Sequence, residues 1–439
     1  MDPDAKASDT IAAVSRRSVS SGLLCALVAG CAPKGPGVSG LPQTGPPRAA
    51  GPSAPSAPPE PTTPPEPAPP PILPFDEAVT NAVRSVLAAA PAPEATPATL
   101  VVDPLVDGMT GYQSSATQSI QDHIVRLAKA EFPQYQVRGI TSRSLQQQPR
   151  FLIGTFTPIN AQLKPAGQRE SYWFCLVMGD LKTGTIVAKS VARVRLADVD
   201  ATPAATFGDS PVWTEDPSIQ AYVTTCKASK VGDPIRPEYL DGLLAAALVN
   251  EAGDAYAEKR YAEALDLYRT ALKAPAGEQL RVYNGIYLSL AKLGRVNESA
   301  AAFGDLVEYG LRRKRLAVKF LFRPASVRLD DDGGFSGNYD MWIQQIAARA
   351  VSSQACLEVT GHTSPTGPAA LNDRLSLMRA EYIQMRLQTD QASLARRTLA
   401  AGVGSRENLI GTGKDDASDM LDRRVEIKPI EPCTEGSHA

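Results

Sequence analysis

The sequence predicts a multidomain α+β chain in which an α/β domain is followed by a short all-α pair and a carboxy-terminal α/β sandwich. Three observations carry that expectation. Over residues 75–235, runs with the period of a strand interchange with runs of helical period. Over residues 236–315, small and aromatic residues recur through two helix-turn-helix units. Near the end, the alternating run around Leu357 and Val359 stops at Gly361, and a long helical pattern opens at Pro368 after a loop.

Composition sets the outer bounds. A length of 439 residues allows two to four domains, each able to bury a core. The net charge of -2 indicates no bulk attraction to nucleic acid. The three histidines, His123, His362 and His438, have no metal-ligand spacing. No apolar run is long enough for a permanent membrane span.

The first 30 residues read as an export signal. Arg16 and Arg17 precede the apolar run Leu23–Val28, and small residues follow up to Cys31, a pattern too short for a membrane span. Val28-Ala29-Gly30-Cys31 resembles the bacterial lipobox, which implies cleavage before Cys31 and acylation of that cysteine. Ala32 takes the place of the aspartate that retains similar lipoproteins at the inner membrane, so the expected location is the periplasmic face of the outer membrane, lipid-anchored. Residues 31–74 carry the lipidated cysteine and a linker. Its tracts, such as Pro69-Pro70-Pro71, favour polyproline II, and from residue 33 the linker extends at most roughly 130 Å.

In the 75–235 domain, helices are expected at Phe75–Ala90 and Ser119–Ala130. Strands are expected at Leu100–Pro104, Tyr135–Ile140, Phe151–Phe156, Tyr172–Met178 and Thr185–Arg195. The turn Asp180–Gly184 joins the last two as a hairpin. Cys175 falls in a strand and Cys226 in a helix after Pro217. In general pattern the region resembles the α/β domains of outer-membrane lipoproteins that assist flagellar or curli export, a likeness that names no site residue. Asp103, Asp107, Asp209 and Asp216 could be gathered into an acidic site, but solvated loop carboxylates are the commoner reading.

In the 236–315 segment the first unit shows Gly253, Tyr256, Tyr261, Ala264, Tyr268, Ala271 and Pro275. The second shows Tyr287, Leu290, Gly294, Ser299 and Phe303. This resembles a pair of tetratricopeptide repeats, the first one residue short in its turn. Two such units are fewer than a free-standing solenoid needs, so the pair is expected to lean on a neighbour. Its stripes serve as core or line a groove for a peptide.

The 316–431 segment is the most informative. From Pro368, the apolar Leu371, Leu375, Met378 and Tyr382 recur at helical spacing and are expected to be the buried stripe, flanked by the polar row Asn372, Ser376 and Arg379. The blocks Gly361-His362-Thr363-Ser364, Asn372 to Ser376, Arg379-Ala380 and Asp422-Arg423-Arg424-Val425 resemble, in order and spacing, the OmpA-like peptidoglycan-binding domain. Val318–Arg323 matches that family's opening strand. The resemblance implies a domain that holds the diaminopimelate residue of the peptidoglycan stem peptide. Carried over by position, the binding residues are Ser364, Asn372, Arg379 and Arg423. Ser364 stands where the family has an aspartate, leaving a hydroxyl acceptor in place of a counter-charge. Asp422 replaces the family's asparagine, and either supplies the missing charge or pairs with Arg423. His362 is expected to fix its loop through a structural hydrogen bond.

Cys175 with Cys226 and Cys356 with Cys433 are expected as disulfides, because each pair falls within one candidate domain of an exported chain. Residues 432–439 form a tail. No nucleophile-base motif or cofactor motif occurs; Gly411-Thr412-Gly413-Lys414-Asp415 lacks the hydroxyl residue a phosphate loop places after its lysine. The expected function is therefore non-enzymatic and needs no cofactor. It is an outer-membrane lipoprotein that grips peptidoglycan and tethers or scaffolds envelope components. The alternative is an accessory or assembly factor of a secretion or appendage system, whose central domains recruit periplasmic protein partners.

Overall fold

The computed structural model describes residues 68–430 except 95, 166, 321, 323–325, 330–337, 415–418, 420 and 421. The expected signal, Cys31, most of the linker, Cys433 and the tail lie outside the described residues. The architecture is mixed α/β.

The first part is built on β1 (Ile72–Leu73), α1 (Phe75–Ala89), β2 (Ala98–Val102), β3 (Val106–Asp107), α2 (Ser115–Glu131) and β4 (Tyr135–Gly139). It continues with α3 (Ser142–Leu145), β5 (Arg150–Ile159), β6 (Ser171–Asp180) and β7 (Thr185–Arg195). The strands form one sheet in the order β1-β7-β6-β5-β2-β4, with β3 beside β5. Strand alternation assigns the two faces. Leu100, Val102, Leu152 and Phe156 pack under α1 and α2. Val101, Phe151, Ile153 and Cys175 face the other side. There they meet α5 (Pro217–Ala228) and the start of α6 (Pro237–Ala257). Both faces are covered, which is why these strands read as apolar runs. Ser114 caps α2 with a reciprocal pair of bonds to Thr117.

Helices α6, α7 (Tyr261–Lys273), α8 (Leu280–Lys292) and α9 (Val296–Arg312) follow as two helical hairpins. Gly285 lets the Tyr268 ring lie against α8, since a β-carbon there would come within 2.3 Å of the ring. The pair does lean on a neighbour. Phe303 of α9 stacks on Trp342 of α10 (Tyr339–Ser352) at 5.5 Å, and the Trp342 indole donates to the Tyr287 hydroxyl at 2.9 Å. One apolar core runs from Tyr256 and Phe303 through Trp342 to Val359 and Ile427.

The second sheet holds β9 (Leu316–Val318), β10 (Cys356–Gly361), β11 (Thr398–Gly402) and β12 (Val425–Ile430) in the order β11-β10-β12-β9. Its outer edge is β8 (Val212–Trp213), contributed after α4 (Ala205–Asp209) by the segment expected to belong wholly to the first domain. The opening strand is shorter than expected: β9 stops at Val318, and Phe322 makes an isolated bridge to Leu329. Arg169, from the loop between β5 and β6, reaches the second part and donates to the Asn408 carbonyl at 3.4 Å.

Two further expectations are overturned. Cys175 and Cys226 are free thiols, so the expected bridge is absent; each sulfur sits 3.0–3.2 Å from the other residue's carbonyl oxygen. Membership of one domain brought the residues together but did not set the sulfurs for bonding. The other expected bridge involves Cys433, outside the described residues. The second correction concerns α11 (Ala369–Asp390), whose buried residues are Asn372, Ser376, Arg379, Ala380, Ile383 and Leu387. The expected apolar stripe is split instead: Leu371 is 54% and Met378 40% exposed, while Leu375 and Tyr382 are only half-buried, Tyr382 against the core. Among the described residues no helix is long and apolar enough to cross a membrane.

Candidate functional site

Helix α11 is the start of the site. Pro368 precedes the first turn of α11 with φ of -65°, ready for helix entry. The amino-terminal half of α11 rests on the ends of β10 and β11, and two glycines permit the approach. A β-carbon on Gly361 would lie 2.0 Å from the Ser376 carbonyl oxygen, and one on Gly402 would lie 2.4 Å from the Leu377 nitrogen. Ser376, fully buried, accepts from the Gly404 N–H at 2.9 Å and donates to the Asp373 carbonyl at 2.8 Å. Asp373 in turn pairs with Arg406.

Around this contact the expected residues take their places. Asn372 donates to the Thr366 carbonyl at 3.0 Å and more loosely to that of Ser364 at 3.4 Å, tying the loop after β10 to the helix. The Ser364 hydroxyl lies 3.0 Å from that of Thr366. Arg379 lies seven residues beyond Asn372 on the same face, about 10 Å along the axis. It is 3% exposed, its guanidinium centre sits 4.8 Å from the middle of the Phe322 ring, and its Nε donates to the Ser326 carbonyl at 3.2 Å. Such a flat cation on an aromatic face keeps its charge while shedding water. Arg423 is half-buried at the bend leading into β12. Ser364 and Asn372 are thus directly linked, with Arg379 farther along the same helix as Asn372.

Asp422 does neither of the things expected of it. Fully buried, it accepts from the N–H groups of Leu409 (2.6 Å), Ile410 (3.1 Å) and Gly411 (2.7 Å), holding the loop after β11. Burial pushes its carboxyl up, against the opposing pull of those N–H groups. His362 also departs from expectation. Its ring is fully buried and neither nitrogen has a hydrogen-bond partner; the bond that fixes this residue is its backbone N–H to the Arg424 carbonyl at 3.0 Å.

Sequence reasoning missed the charges beneath the loop. Glu426 of β12 accepts from Arg424 at 2.8 Å and from Arg315 at 2.7 and 3.0 Å, and lies 3.7 Å from His362. Burial alone would raise the Glu426 carboxyl, but Arg424 and Arg315 hold it well below the carboxylate range. Burial and the neighbouring Arg424 push His362 down to about 2, so it is neutral. The signal available in the sequence was the alternation Arg424, Glu426, Lys428 on a strand whose inner face is covered. Of the aspartates considered as an acidic site, Asp216 caps α5 and Asp107 closes its own turn onto Met109 and Thr110. Asp103 and Asp209 accept from the hydroxyls of Tyr239 and Tyr256.

No family model matches the chain, and no curated protein matches it. Among solved structures it is similar to the cell wall anchor of the T6SS from Pseudomonas aeruginosa, with 24% identity, 26% of this chain and 80% of that one covered, and a TM-score of 0.22. It is also similar to the peptidoglycan-associated lipoprotein from Burkholderia pseudomallei, with 23% identity over 27% of this chain and 92% of that one, TM-score 0.22. The periplasmic domain of MotB (residues 64-256) shares 20% identity over 26% of this chain and 63% of that one, TM-score 0.22.

Proposed function

We propose that residues 316–431 bind peptidoglycan noncovalently through the stem peptide, and that the chain is a lipoprotein held by Cys31 at the periplasmic face of the outer membrane. The observation that supports this is the choice of face on α11. Burying Asn372, Ser376 and Arg379 while Leu371 and Met378 face water is unfavourable for a helix that serves only as core. It is what a loop-and-helix site for a polar ligand requires, and the buried row follows the order of the OmpA-like pattern. In this reading Arg379 offers its planar fork to a ligand carboxylate, Ser364 and Asn372 orient the loop against the diaminopimelate amine, and Arg423 borders the site.

Sedimentation of folded variants with purified sacculi tests the assignment. Arg379→Ala removes a charge-assisted bond of about 1.5–3 kcal/mol and weakens binding tenfold or more. Arg379→Lys restores only part of it, because a point charge lacks the fork. Ser364→Asp tightens binding. Unchanged sedimentation of Arg379→Ala overturns the site. Mass spectrometry of the mature chain tests the anchor, and an unacylated Cys31 refutes it.

A further inference from the structure

Where the first sheet, the helical layer and the second sheet meet, the chain forms a half-open pocket of about 320 Å³. Met109, Tyr112, Trp213, Ile219, Val223 and Leu409 give it largely apolar walls. Its volume is at the small end of ligand sites. Four charged residues also line it: Glu215, Asp216, Arg281 and Arg315.

The partners of those four decide the chemistry. Asp216 accepts from the N–H groups of Ser218, Ile219 and Leu280 and from the Tyr309 hydroxyl. Arg315 is held by Glu426 at 2.7 Å and pairs with Glu215 at 3.3 Å. Both carboxylates and one of the two cations are therefore engaged. Arg281 makes no direct ion pair among the described residues: it donates its Nε to the Gln279 side-chain oxygen at 2.8 Å, and the buried Asp103 carboxyl acts on it only through space. It also lines a second cavity of about 170 Å³, which shares Gly111 and Tyr112 with the first.

We infer that this junction binds a small organic carboxylate with an apolar body, its carboxylate on the Arg281 guanidinium and its body against Trp213, Ile219 and Val223. The half-buried Arg281 guanidinium has no carboxylate in bonding contact among the described residues, and a ligand carboxylate supplies two parallel N–H···O bonds. The apolar walls select against acetate-sized anions, which leave them bare. The site is separate from the helix α11 site, and it touches all three parts of the fold.

The experiment is calorimetric titration of the full mature chain with 4-phenylbutyrate and octanoate, each alongside its neutral amide. Tryptophan fluorescence is followed in parallel, because Trp213 lines the cavity. The acids are expected to saturate at one per chain and shift the fluorescence, with the amides at least tenfold weaker. Arg281→Gln, shown folded by circular dichroism, is expected to bring the acids down to the amides. Failure of both acids to saturate overturns the inference, as does equal binding of acid and amide. So does unchanged acid binding by a folded Arg281→Gln. The acid-amide comparison on the unmodified chain decides the matter even where the variant does not fold.

Discussion

Replacing His362 by Phe removes a buried group that acid must charge in the unfolded chain and cannot easily charge in the folded one. The ring is fully buried without a hydrogen bond to either nitrogen, so phenylalanine leaves no orphaned partner. Its folded pKa is lowered from 6.5 to about 2, so between those values the unfolded state binds the extra proton and stability falls as pH falls. From pH 7 to pH 5 that linkage amounts to about 2 kcal/mol. Asp103 acts the other way: burial raises its carboxyl to about 6, so acidification through that value favours the folded state. The opposing effect is common to both proteins and cancels in their difference. Urea unfolding at pH 7, 6 and 5 and fixed salt should therefore show the parent losing about 2 kcal/mol relative to His362→Phe over the range. Curves that stay parallel across the three pH values would refute the burial argument.

Gly361→Ala should lower the thermal midpoint, because a β-carbon 2.0 Å from the Ser376 carbonyl forces α11 off the strand ends; overpacking of this kind costs about 1–3 kcal/mol, read by thermal denaturation. Asp216→Ala should destabilise by at least about 2 kcal/mol in urea, since it leaves the buried Leu280 N–H and Tyr309 hydroxyl without their acceptor as well as removing a helix cap. Cys175 and Cys226 should resist a thiol reagent in the native chain and react together once guanidinium unfolds it; reaction only after reduction would show them bridged.

Much of the first sheet was legible because its strands are covered on both faces, so Phe151–Phe156 and Tyr172–Met178 appear as apolar runs bounded by turns. The helical hairpins were legible through the small residues at their contacts. The face of α11 was not. Periodicity identifies a stripe, but which stripe is covered depends on what lies opposite, and here that is the polar loop after β10 and the glycine ends of two strands. Asn372, Ser376 and Arg379 do lie on one face of the helix, but that face is buried rather than flanking a buried apolar stripe. The cluster around Glu426 escaped because ion pairs between Arg315 and β12 join residues 111 apart, a separation no local pattern reports.

The two-residue strand β8 is too short to stand out in any pattern, yet the segment Val212–Asp216 governs how the described chain holds together. Val212 and Trp213 complete the edge of the second sheet against β9. Glu215 pairs with Arg315, whose guanidinium also lies 4.9 Å from the Trp213 ring centre. Asp216 starts α5 over the first sheet while accepting from Leu280 of α8 and Tyr309 of α9. Five consecutive residues therefore bind both sheets and the helical layer, and the described residues fall within one compact unit. A fragment cut at the start of β9 would expose the β9 edge, half of the Arg315 pairing and the apolar surface that Trp213 covers. An open strand edge beside apolar surface invites self-association, which would mimic or mask sedimentation with sacculi. The proposed stem-peptide site is thus properly measured in the intact folded part, where the sheet beside it is complete.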